Sequence, residues 1–100
     1  MPKKFRMLKN CPLDYAEQGY VFFRCQRWQF LPRIERERIK ALCRRIAEGD
    51  EHKEQAILAL MTTSESWRAV CMRYYVSDAT LDRLRRRFYA GWEVSGCGKE

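Results

Sequence analysis

Residues 66–87, SWRAVCMRYYVSDATLDRLRRR, decide how this chain is read. Their spacing predicts two short helices and a tight turn. The first helix covers residues 66–75, the turn passes Val76, and the second helix opens at Ser77 and runs to residue 90. Val70, Cys71 and Tyr74 fall at i, i+1 and i+4 on the first helix; Leu81, Leu84 and Phe88 fall at i, i+3 and i+7 on the second. Val76 is the apolar plug between them. The Ser77 hydroxyl is suited to cap the second helix, and Asp78 puts a negative charge in its first turn, where the helix dipole favours one. Arg83, Arg86 and Arg87 mark the opposite, basic face. Two helices of this kind cross steeply, and the second can enter a DNA major groove.

Upstream, residues 51–61 read as a third helix, with Ile57, Leu60 and Met61 as its buried stripe and Ala56 beside them. Thr62, Thr63 and Ser64 form a polar connector. Residues 51–90 then make one bracing helix and two crossing ones, the minimal tri-helical DNA-binding unit. Leu31-Pro32 is a clean break, because proline suits the first turn of a helix. A helix is expected over residues 32–48, where Ile39, Leu42, Cys43 and Ile46 give the apolar face. Glu35–Arg38 and Glu37–Lys40 are helix-neighbour pairs on a solvated face, worth about 0.3 kcal/mol each. Gly49 ends that helix and Asp50 can open the next. Beyond Phe88, Gly91 reads as a helix stop and Trp92 as the residue that closes the core.

Residues 11–31 read less sharply. Pro12 and Gly19 punctuate them. Tyr20 to Phe23 have strand-like composition, while Phe23, Arg27 and Phe30 could share one face of a short helix. A turn followed by a helix over residues 21–30 is the favoured reading, with its aromatics in the core rather than stacking on bases. Residues 1–10 carry Lys3, Lys4, Arg6 and Lys9, a basic end that is either solvated or follows a DNA groove. The organisation is therefore a basic arm and aromatic packing segment (1–31), a helical domain (32–92) with its helix-turn-helix at 66–90, and a Gly-rich tail (93–100) expected to be disordered with Cys97 exposed. The fold class is all-α: a compact helical bundle with a C-terminal tri-helical unit.

The chain has 100 residues, 46% hydrophobic and 33% charged, which suits one small domain. Its net charge of +7 and pI of about 9.4 favour a polyanionic partner. No apolar run is long enough for a membrane span or a secretory signal. The five cysteines (11, 25, 43, 71 and 97) are odd in number, include no C-x-x-C pair, and have no histidine partner near the lone His52. This argues against zinc and against a disulfide framework, and for reduced thiols in a cytoplasmic protein. Cys43 and Cys71 read as small buried hydrophobes. Phosphate-cradling, dinucleotide, nucleophile-elbow and H-E-x-x-H motifs are missing. Asp78 and Asp82 read as dipole-complementing acids rather than metal ligands. No enzyme activity, cofactor or metal is expected.

The central stretch resembles the helix-turn-helix of the region-4 domain of bacterial sigma factors, of small phage regulators, and of site-specific recombinases and transposases. Their shared pattern is roughly S-[YW]-R-x-[IV]-A-x-x-[LY]-G-[VI]-S-x-x-T-[VL]. Ser66, Trp67, Arg68, Val70, Tyr74, Val76, Ser77, Thr80 and Leu81 match it. Cys71 stands where these families carry a small Ala. Tyr75 stands where they carry a Gly, which supplies a left-handed turn conformation that is strained in other residues.

That resemblance implies a small bacterial or bacteriophage DNA-binding protein acting in transcription. Its base-facing positions map to Asp78, Ala79, Asp82, Arg83 and Arg86, with Arg83 and Arg86 best suited to guanine. Arg68 and Arg73, with Arg85 or Arg87, would hold phosphates, and Ser77 caps the helix and could touch one. The two acids count against the reading, since they repel phosphate. Double-stranded DNA is the implied partner, met as a homodimer or in a larger complex. Two rivals stand beside it. One is an adaptor docking on a host protein such as polymerase, with residues 15–30 as its contact patch. The other is a non-catalytic DNA-packaging or recombination accessory protein.

Overall fold

Asp14 starts the described structure with a capping box. Its carboxylate accepts the Glu17 backbone N–H at 2.8 Å, and the Glu17 side chain accepts the Asp14 N–H in return. The computed structural model describes residues 13–92. Helix α1 spans Tyr15–Gln26, and a 3₁₀ turn covers Trp28–Phe30. Four more helices follow: α2 (Arg33–Ile46), α3 (Glu51–Thr62), α4 (Trp67–Tyr74) and α5 (Asp78–Gly91). The described residues contain no strand, so the fold is all-α.

Helix α3 is the hub and packs against each of the other four helices. Its Ala56, Ile57, Leu60 and Met61 are buried. Around them lie Ile39, Leu42 and Cys43 of α2, Val70 of α4, and Leu81, Leu84 and Phe88 of α5. The α5 seam is the one the spacing predicts. On α4 only Val70 is buried. Tyr74 and Cys71, which was expected to be a small buried hydrophobe, are half-buried against the core because they lie toward the surface turn. Trp92 is buried and its ring lies 5.8 Å from that of Phe88.

Three helix ends follow their sequence signals. Asp50, Ser66 and Ser77 each accept a backbone N–H three residues ahead, from Lys53, Ala69 and Thr80. Between α2 and α3 the chain turns through Glu48 and Gly49, both with positive φ (52° and 86°).

Three further expectations need correcting. The helix expected over residues 21–30 lies instead at Tyr15–Gln26, because the Asp14–Glu17 box starts it early and Gly19 is carried inside it. Its aromatics divide: Phe22 is buried and Trp28 half-buried, while Tyr20, Phe23 and Phe30 are exposed. Glu35 is not on a solvated face. It is buried, and its carboxylate makes a two-point contact with the Arg24 guanidinium that joins α2 to α1. Gly91 is the last residue of α5, as expected, and it has a second use. A Cβ on Gly91 would sit 2.7 Å from Cδ1 of the buried Leu42, so this glycine lets α5 approach α2. The basic arm and the tail with Cys97 lie outside the described residues.

Candidate nucleic-acid interface

The turn between α4 and α5 is built on Tyr75. Its backbone is left-handed, with φ 57° and ψ 45°, and its N–H and that of Val76 both point to the carbonyl of Cys71. The turn is thus the one a glycine usually makes, adopted by a tyrosine at a cost of about 1–2 kcal/mol. The side chain does not offset much of that cost through burial. It is 84% exposed, and among the described residues its ring meets the edge of His52, 6.0 Å away. Val76 behind it packs against the core.

Trp67 fixes α5 against α4. Its indole N–H donates to Asp78 Oδ1 at 2.8 Å, and the Arg85 guanidinium lies over its ring at 5.2 Å. The Cys71 thiol also faces Asp78 Oδ1, at 3.6 Å. Burial, then the Asp78 hydrogen bond and charge, push the Cys71 thiol pKa up. Asp78 is therefore directed at α4, and Arg85 lies along Trp67 with a largely covered side chain rather than standing out toward a phosphate.

The α5 face opposite the core carries the remaining positions. Ala79, Arg83 and Arg87 are exposed, and Asp82 and Arg86 are half-exposed. Arg83 makes no hydrogen bond or ion pair with the described residues, and neither does Arg68 on α4. Arg86 donates to Asp82 at 2.9 Å, so that acid is answered within its own helix. Arg73 is held by Glu65 at 2.5 Å. Arg87 reaches Glu48 at 3.5 Å and the Ile46 carbonyl at 3.4 Å, at the C-terminal end of α2, where a cation is favoured. Ser77 is used as a cap, and its hydroxyl also donates to Thr80 Oγ1.

The nine expected positions thus fall into three groups. Arg68, Ala79 and Arg83 are open. Arg73, Arg86, Arg87 and Asp82 are surface groups held in ion pairs. Ser77 and Asp78 serve the architecture. Two exposed side chains beside the turn, Met72 and Tyr75, were not expected to form part of this surface. Tyr75 was signalled by its place in a glycine position; Met72 had no such signal.

Among the described residues no three His, Cys, Asp or Glu side chains gather to hold a metal ion, and no helix is long and apolar enough to cross a membrane. Comparison with family models, curated proteins and solved structures returns no match.

Proposed function

We propose that this chain is a small helix-turn-helix DNA-binding protein, a bacterial or bacteriophage regulator of transcription working in the cytoplasm, with α5 laid in the major groove. The observation that carries the reading is the outer face of α5. It offers Arg83 open beside the small Ala79, while both of its acids are already engaged, Asp78 by Trp67 and Asp82 by Arg86. The acids were the main objection to this face, and internal pairing weakens it. Arg83 reads a guanine edge; Arg68, Arg73, Arg86 and Arg87 contribute to phosphate binding after rearranging their surface pairs. A single unit of this size binds weakly, so two copies on half-sites about 34 Å apart are proposed.

Mobility-shift measurements with genomic DNA fragments test this. Four phosphate contacts predict a loss of affinity of roughly a hundredfold between about 50 and 200 mM salt. Arg83→Ala should cost about 1–3 kcal/mol on a specific site if it makes a two-point base contact. Equal binding by wild type and an Arg83→Ala/Arg86→Ala variant would remove α5 from the interface.

A further inference from the structure

Among the described residues, four of the six exposed large hydrophobic side chains lie close together in sequence, on α1, the 3₁₀ turn and the start of α2: Tyr20, Phe23, Phe30 and Ile34. Tyr20 and Phe23 on α1 line an open groove of about 250 Å³ with Arg24, Arg27 and Leu31. Phe30, 69% exposed, lies beneath the Arg27 guanidinium at 5.6 Å. Ile34 stands exposed in the first turn of α2, next to the buried Glu35 that joins Arg24. Such a concentration of exposed apolar surface on a small chain marks an interaction site.

We infer that this groove docks an acidic amphipathic peptide or helix of another protein, its apolar side chains entering between Tyr20, Phe23 and Leu31 and its carboxylates meeting Arg27. This surface is independent of the DNA reading. Charge selects the occupant. Arg27 makes no ion pair with the described residues, and Arg33 follows nearby in the chain. None of the residues lining the groove is an acid, and Glu35, the carboxylate that holds its Arg24, is buried and already taken by that pair. A second copy would bring Arg27 toward Arg27 between two chains of net charge +7. The basic segment before α1, with Lys3, Lys4, Arg6 and Lys9, has the same wrong sign. Single-stranded nucleic acid has the right sign but needs open ring faces for its bases. Arg24 already lies over Tyr20 at 5.9 Å, and Arg27 over Phe30. A peptide carboxylate meets the Arg27 guanidinium without displacing it from the Phe30 ring, and hydrophobic anchors flanked by acids fit helix-in-groove recognition.

The test is selection of displayed random peptides on the wild-type chain, with counter-selection on Phe23→Ala/Phe30→Ala. The expected set is rich in Asp and Glu, with Leu, Phe or Trp at helical spacing. Synthetic copies should bind the double variant about tenfold or more weakly. The same loss is expected with Arg27→Glu, an exposed charge reversal that leaves the core untouched, and with peptides whose acids are replaced by amides. Circular dichroism checks that both variants remain helical, and Arg27→Glu decides if the double variant does not. DNA binding should survive both substitutions. The inference is overturned if no peptide is selected, if the selected peptides lack acids, or if wild type and Arg27→Glu bind them equally. It is also overturned if phosphatidylglycerol vesicles, oligothymidylate or a second copy of the chain occupies the groove more tightly than the peptides do.

Discussion

Trp67 and Asp78, eleven residues apart, are joined by an indole N–H donated to a carboxylate over 2.8 Å, across the turn that separates α4 from α5. This bond links the first residue of one helix to the first residue of the next. With Arg85 lying over the Trp67 ring, two points two turns apart on α5 are referred to one rigid side chain. The direction in which Arg83 points is therefore set by α4 as well as by the core beneath.

Trp67→Phe keeps an aromatic ring and removes the donor. It should destabilise the chain by about 1 kcal/mol, read as a lower urea midpoint at constant slope. If Trp67 positions α5, DNA affinity should fall further than this loss of stability accounts for at temperatures where the variant is folded. A variant with wild-type DNA affinity would leave the bond with a structural role alone.

Tyr75→Gly should stabilise the chain. The left-handed conformation costs tyrosine about 1–2 kcal/mol, and glycine adopts it freely. Glycine also gives the unfolded chain more freedom, which takes back about 0.5–1 kcal/mol. Since the ring is 84% exposed, little packing is lost. The net gain should be about 0.5–1 kcal/mol by urea denaturation. A loss would show that the ring contact with His52 contributes more than its exposure implies.

The C-terminal half was legible because its signals are local. Ser66 and Ser77 cap from their own first turns, and Val70, Leu81, Leu84 and Phe88 repeat at helical spacing. The N-terminal half turned on partners that spacing does not reveal. Glu35 looked like a member of an i, i+3 surface pair, yet its partner Arg24 lies eleven residues away on another helix. Gly91 was legible as the end of α5, but its close approach to Leu42 is tertiary and was not. At the candidate interface the sequence identified the residues of the face but not their engagement. Nothing in the order of residues shows that Asp78 turns toward Trp67 while Arg83 stands open.

Arg24→Ala should be among the more damaging single changes outside the apolar core. It leaves the carboxylate of Glu35, a residue only 6% exposed, without the guanidinium that answers it. Removing one member of a buried pair costs about 3 kcal/mol or more. Arg24→Met combined with Glu35→Leu should recover most of that loss, because an apolar pair needs no solvation. Additive losses in the double variant would mean that both side chains matter through packing instead.

Cys71 should alkylate slowly. Its raised pKa, from burial and then from Asp78, lowers the thiolate fraction at mildly alkaline pH below that of free cysteine. Asp78→Asn keeps an acceptor for Trp67 but removes the charge, so the Cys71 pKa should fall and iodoacetamide labelling, followed peptide by peptide, should speed up. The linkage has a definite sign. Folding raises this pKa, so the native state holds the thiol proton more tightly. That contribution to stability is complete below the unfolded-chain thiol pKa and is lost as pH rises through the native value. Faster labelling than free cysteine would contradict the assigned environment.

Asp82→Asn separates the two roles of the α5 acids. Asp82 pairs with Arg86 at 2.9 Å on a half-exposed surface, so its loss should cost folding no more than about 0.5 kcal/mol. The effect on DNA should be the opposite. One negative charge leaves the proposed interface, and the Asp82 hold on Arg86 is released. Affinity should rise, and the plot of log affinity against log salt should steepen by about 0.9, the contribution of one phosphate contact. Asp78→Asn should raise affinity less, because that carboxylate is turned toward Trp67 and away from the duplex. If Asp82→Asn leaves both affinity and slope unchanged, Arg86 does not reach the DNA, and the groove-facing side of α5 must be assigned to a narrower strip around Ala79 and Arg83.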